Sequence, residues 1–298
     1  MRTSQLRKPR NTRLHLREQL TARWQVLLLL VTLVFSVPPA LARELPADPL
    51  ESVMWKYMAD RFFAEGELVF DQRVKVSVPH SAEDQFFVPV TVDASSLDNV
   101  VEIVALADLN PIPHILSLRP IKAEPYIAFR VKLQQATPIR VGVRTADGQW
   151  HINGAWVDAA GGGCTAPAMA HGLSNWIDTL GHTRAIAYRE PEQSTARLSL
   201  RMRHPMDTGL ADGIPAFYLN ELSVVNATGE VLAELDSYEP VSENPTFTLK
   251  PLTADAGDQL MVKGRDNEGN EFELALAVTD MPAPVVKKRQ PLSLLLQQ

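Results

Sequence analysis

From residue 49 to residue 64 the apolar positions Leu50, Val53, Met54, Tyr57 and Phe62 recur close to helical spacing. That period predicts an amphipathic helix. Asp48 as N-cap, Pro49 at the first helical position, Glu51 at the third and Gly66 beyond the end supply its start and stop signals. Past Gly66 the period changes to two. Residues 74–78, 87–92, 127–133, 139–145 and 150–157 alternate in the first half, and 196–202, 217–224, 230–235, 246–250, 259–264 and 271–278 in the second. Turn residues separate several of these runs, at Asp147-Gly148, at Asn226-Ala227-Thr228-Gly229 and at Asn267-Glu268-Gly269-Asn270. Short alternating runs at regular spacing predict an all-β chain of two immunoglobulin-like antiparallel β-sandwich domains, each with its own core. Residues 129–157 and 247–278 share the same strand, spacer, strand, turn, strand order, so the halves read as a weak duplication.

Residues 159–172, between the halves, show no period and almost no charge. They contain Gly161, Gly162, Gly163 and Cys164. Leu173, Trp176, Ile177 and Leu180 then stand at helical spacing before Gly181, which predicts a short linker helix. The first 42 residues have another character. A basic stretch is followed by an apolar run over 24–37, by Pro38-Pro39 and by small residues at Ala40 and Ala42. This order matches a secretory signal peptide cleaved after Ala42, and the run is short for a spanning helix. The organisation expected is therefore a signal peptide over 1–42 and a sandwich with its leading helix over 43–158. A Gly-Cys arm and linker (159–192), a second sandwich (193–282) and a flexible tail (283–298) follow.

Charge and cysteine usage narrow the chemistry. Residues 1–42 carry seven basic side chains against the single acid Glu18, so with a total of −6 the rest of the chain holds −12. An acidic body lacks the basic face that nucleic-acid binding needs. One cysteine in 298 residues excludes an internal disulfide and a thiolate-rich zinc site. The histidines beyond the signal segment stand singly, without ligand spacing, and no Walker, nucleophile-elbow or dinucleotide-binding pattern occurs.

Cys164 is either a small buried hydrophobe or a working thiol. Three glycines ahead of it favour a mobile tether, with residues 160–166 exposed and the thiol near an ordinary pKa of roughly 8.5, because no cation lies near it in sequence. A mobile tether cannot hold a nucleophile against a base, so the thiol reads as a passenger site and not as a catalytic group. The segment His204-Pro205-Met206-Asp207-Thr208-Gly209 reads by itself as a turn.

Taken together, Gly162-Gly163-Cys164 and His204-Pro205-Met206-Asp207-Thr208-Gly209 resemble the marks of the SoxYZ sulfur carrier of periplasmic thiosulfate oxidation. In that family the Y subunit ends in a Gly-Cys swinging arm whose cysteine carries the sulfur substrate. The Z subunit is a second immunoglobulin-like sandwich with a His-Pro-Met segment near its start. Residues 68–165 resemble the Y subunit and 193–280 the Z subunit, as in a single-chain fusion. Asn244-Pro245 also falls where the Z subunit has an Asn-Pro pair. Two features depart from the family: Thr165-Ala166 replace the closing glycines, and Cys164 is internal. Residues 54–63 resemble the quinoprotein dehydrogenase-associated subgroup.

The resemblance implies a periplasmic covalent carrier that holds a sulfur-containing or other thiol-reactive intermediate on Cys164. It would have no catalysis of its own, no cofactor and no metal. Its partners would be periplasmic sulfur-oxidation or quinoprotein dehydrogenase components, and no membrane would hold it after signal cleavage. A lone thiol in an oxidising space also admits a Cys164-linked dimer. The alternative is a non-covalent binding or assembly partner of a periplasmic dehydrogenase, with Cys164 incidental.

Overall fold

The computed structural model describes residues 44–189, 194–253 and 255–281, and among these one α-helix, α1 (Trp55–Phe62), precedes the strands. The expected signal segment (1–42) and tail (283–298) lie outside the described residues. The first half carries β1 (Leu68–Phe70), β2 (Lys75–Ser77), β3 (Val88–Asp93), β4 (Val100–Ala107), β5 (His114–Arg119), β6 (Ala123–Val131), β7 (Thr137–Thr145) and β8 (Trp150–Val157). The second half carries β9 (Thr183–Arg189), β10 (Ala196–Met202), β11 (Asp207–Thr208), β12 (Ala216–Phe217) and β13 (Leu219–Asn226). It continues with β14 (Val231–Ser237), β15 (Thr246–Pro251), β16 (Gln259–Asp266) and β17 (Glu271–Asp280).

The strands form two layers that run through both halves. One is ordered β1-β8-β7-β4-β5-β14-β13-β16-β17, and the other β2-β3-β6-β15-β10-β9, with β17 and β9 joined in parallel. Matching β4 to β8 with β13 to β17 makes the order nearly the same from either end. The duplication legible in sequence is thus an internal pseudo-twofold, with equivalent strands meeting at both junctions. β5 pairs antiparallel with β14 (Leu118 opposite Leu235), and β6 with β15 (Ile127 opposite Leu249). Each sandwich thereby covers an edge of the other.

The apolar residues follow suit. Ile103, Ile127 and Val141 from the first half and Leu198, Val224 and Phe247 from the second belong to one continuous buried cluster. The expectation of a separate core for each sandwich is corrected: pairing in both layers leaves no polar boundary at which the core could divide.

β4 shows no alternation because both its faces are covered. Ile103, Ala105 and Ala107 enter the main core, while Val104 and Leu106 meet Met58 and Phe63 beneath α1. The helix itself is shorter than its period predicted. The Asp48 carboxylate accepts the N–H groups of Leu50 and Ser52 and also pairs with Arg140, whose guanidinium is fully buried between Asp48 and Asp108. That pairing fixes a turn with Glu51 at φ 50°, so helical backbone starts only at Trp55. The linker helix is corrected as well. Its span, 173–180, holds only the short 3-10 turn Ile177–Thr179; a second 3-10 turn, Met169–Gly172, lies just before it, where the N–H groups at 168–170 are drawn to the carboxylates of Asp207 and Glu243.

Candidate functional site

Where β6 ends, the chain continues through Lys132, Leu133 and Gln134 and offers their carbonyls as a rail. The arm that leaves β8 lies along it. Gly162 N–H donates to Gln134 O (3.2 Å) and Gly163 N–H to Leu133 O (3.0 Å). Gly161 and Gly162 adopt φ of 100° and 88°, a region that side chains disfavour. At Gly163 a Cβ would lie 2.6 Å from Leu133 O and 2.7 Å from Gln85 O. These glycines press the arm against the rail.

Cys164 ends up 2% exposed. Its N–H donates to Gln134 Oε1 (3.2 Å), its thiol faces Lys132 O at 3.5 Å, and its carbonyl accepts from Thr208 Oγ1 (2.5 Å). The expectation of an exposed arm without regular backbone hydrogen bonds is overturned from Gly161 to Cys164, while Ala160, Thr165 and Ala166 are exposed as expected. Glycine serves close approach as readily as mobility, and sequence does not distinguish the two.

The structure brings the two sequence motifs together. His204, Met206, Asp207 and Thr208 are all buried, and the turn they form covers the arm. Met206 N–H donates to His204 Nδ1 (3.1 Å), which places the imidazole proton on Nε2, 3.6 Å from Asp266 Oδ2. Burial holds the His204 pKa down to about 4, so the ring stays neutral and accepts that N–H. This fixes Met206 at φ 53° with its carbonyl toward the Lys132 ammonium, which donates to it. Asp207 pairs with His171 Nε2 (2.8 Å) and accepts Ala168 N–H, and the Glu243 carboxylate takes the N–H groups of Met169 and Ala170. Pro205 and Met206 line a cavity of about 150 Å³ that reaches Gly163 of the arm, with Lys132, Phe86 and Phe87 on its other walls. Gly209, at φ 75°, closes the segment.

Lys132 is the residue that the sequence reading missed. It lies 32 positions before Cys164 and sits on the polar phase of an alternating run, where solvent was expected. Burial lowers its pKa to about 8, against the attraction of Cys164, Asp207, Glu243 and Glu239. Burial raises the Cys164 thiol to about 11, with Lys132 pulling the other way. The expectation of an ordinary thiol with no cation near it is therefore corrected. At neutral pH the site holds a protonated thiol beside a buried ammonium, which is a stored group and not an activated nucleophile. Among the described residues no group of three or more His, Cys, Asp or Glu side chains could hold a metal ion.

A single thiol at the end of one sandwich, enclosed by a turn of the other, defines a thiol-bearing protein of paired β-sandwiches. The model of sulfur oxidation protein SoxY matches residues 59–164 and that of sulphur oxidation protein SoxZ residues 187–276. Together they span more than half of the chain, and it belongs to the SoxYZ-like proteins, as a fusion of both domains in one polypeptide. Among solved structures it is similar to the sulfur carrier protein SoxY from Chlorobium limicola f thiosulfatophilum. That match has 20% identity, covers 36% of this chain and 96% of that one, and has a TM-score of 0.32. A marsupial T cell receptor has 10% identity, covers 68% of this chain and 94% of that one, with a TM-score of 0.23. The chicken CNTN1 FN1-FN3 domains have 10% identity, cover 72% and 68%, and also reach 0.23. No protein with a curated function matches the chain.

Proposed function

We propose that this member of the sulfur-oxidation carrier proteins works in the periplasm. Cys164 would hold a sulfur-containing or other thiol-reactive intermediate for enzymes that load and unload it, without catalysis of the carrier's own. The observation that carries the reading is positional. The SoxY match ends on Cys164 itself, and the SoxZ-type turn folds over that residue. Periplasmic placement rests on the signal-like pattern of residues 1–42, and N-terminal sequencing of exported protein should begin at Arg43. A quinoprotein dehydrogenase system as the partner rests on the resemblance of residues 54–63 alone.

Loading requires the arm to leave its rail while the sandwiches stay folded. Mass spectrometry of protein isolated without reductant should therefore find a reductant-sensitive adduct on Cys164. Labelling of the purified protein by iodoacetamide should be slow, with a rate that hardly changes in urea below the unfolding transition, since local opening exposes little surface. A second reading is favoured by the burial of Cys164: a non-covalent binding module with an incidental thiol. In that case no adduct appears, and labelling tracks global unfolding along the urea series.

A further inference from the structure

Away from the thiol, the outer face of β9 and β10 concentrates positive charge. Arg201 stands directly opposite Arg184. Two pairs further along, past Met202 opposite Thr183, Arg203 N–H donates to His182 O (2.9 Å), so those two residues also stand side by side. All four are exposed and line a cleft of about 670 Å³. Glu273 also lines it, but its carboxylate faces Lys263 at 3.5 Å. Among the described residues no carboxylate forms an ion pair with Arg184, Arg201 or Arg203.

Like charges directly opposite on neighbouring strands destabilise a sheet. The net charge of −12 beyond residue 42 offsets that repulsion only at long range, since among the described residues no carboxylate is seated against these arginines. We infer that this face is a docking surface for an acidic segment of a partner protein, held by salt bridges to Arg184, Arg201 and Arg203. A basic cleft on an acidic body steers such a partner to one place. The basic groups extend over two strand pairs, roughly 7 Å along the strands by the usual rise per residue. That spread suits several carboxylates on a peptide better than one small oxoanion. Ile186 lies on the same face as Arg184, 63% exposed, and the linker turn at Ile177, 59% exposed, borders the cleft through Thr179. Apolar contacts of this kind beside arginine are typical of protein interfaces.

The position also matters. Arg203 leads directly into His204, Pro205 and Met206, whose turn covers Cys164. A partner seated in the cleft would touch the element that closes the thiol site. The inference stands independently of any cargo on Cys164.

The test uses the full chain and a ten-residue glutamate peptide as probe, with fluorescence anisotropy at low and at physiological salt. The peptide should bind at low salt and weaken as salt rises. Arg201→Glu should weaken it about tenfold or more. The same substitution places opposite charges across from each other and should raise the melting temperature by about 1–3 °C. Lys56→Glu, on α1, makes the same change in net charge and should leave binding within twofold of the wild type. The inference is overturned if the peptide does not bind, if Lys56→Glu weakens it equally, or if Arg201→Glu destabilises the fold. Saturable binding of sulfate to these residues, in place of the peptide, would also overturn it, in favour of a small-anion site.

Discussion

Gly163→Ala should release Cys164 from its buried position and raise its rate of alkylation by roughly 5- to 150-fold. The added Cβ would meet Leu133 O at 2.6 Å and Gln85 O at 2.7 Å, both backbone atoms that cannot swing aside. Overpacking of this kind costs about 1–3 kcal/mol, and each ~1.4 kcal/mol is a tenfold change in the closing equilibrium. The penalty falls on the closed arm alone. Gly163 does not adopt a left-handed φ, so alanine carries no backbone strain once the arm is open. The sandwiches, stabilised by their shared core, should keep their melting temperature to within a few degrees. Gly162→Ala is the contrast. Its Cβ would point into open space, and only its φ of 88° is unfavourable, at about 1–2 kcal/mol. Iodoacetamide kinetics on the wild type and both variants, beside their melting curves, check this. An alanine at 163 that unfolds the protein, or that leaves labelling unchanged, removes the closed-arm geometry from any account of the carrier.

The strands with one covered face were legible because their period is two, and β10, β16 and β17 fall where the alternation placed them. β7 was legible although both its faces are buried, because Arg140 and Gly142 interrupt Ile139, Val141 and Val143 and keep a period of two in the sequence. β4 and β5 were not, since a strand buried on both sides alternates in nothing that hydropathy records. The two motifs meet in the structure, where Thr208 of the segment 204–209 donates to the Cys164 carbonyl. What sequence withheld was the sign of their meeting. Three glycines before a thiol suit a free tether or a flush contact, and only the rail of carbonyls from Lys132 to Gln134 decides between them. Lys132 was hidden for a related reason. It follows Arg130 on the polar phase of its run, and Arg130 is indeed exposed. The turn at Met206, from the other half of the chain, covers the next position on that phase.

The pair at the centre of the site should mark the protein's stability against pH in a way that separates its two members. Lys132 titrates at about 8 when folded and at 10.5 as a free side chain. The folded state therefore binds fewer protons in that window, and stability contributed by this group rises with pH across it. Cys164 titrates at about 11 when folded, against 9.0 when free. The folded state holds its proton longer, so stability from this group is intact below pH 9 and is lost as pH rises toward 11. Each shift corresponds to roughly 3 kcal/mol at ~1.4 kcal/mol per unit.

The wild type should thus gain stability from about pH 8 to 9 and hold level to about 10.5 while the two effects oppose each other. Above that it should decline. Cys164→Ser should keep the gain up to about 10.5. Lys132→Met should lose it, be more stable than the wild type at pH 7 by about 1–2 kcal/mol once the lost hydrogen bond to Met206 is allowed for, and decline from pH 9 onward. Urea midpoints at pH 7, 9 and 10.5 measure all three proteins. Parallel curves would mean that neither group is held as the structure holds it. Diverging ones would show that Lys132 and Cys164 each titrate inside the fold in the directions that burial sets. Asp207, Glu243 and Glu239 already attract that charge, yet burial still outweighs them at neutral pH. If Cys164 carries the cargo proposed above, the group that the Lys132 cation serves is the thiol beside it, which reacts as an anion.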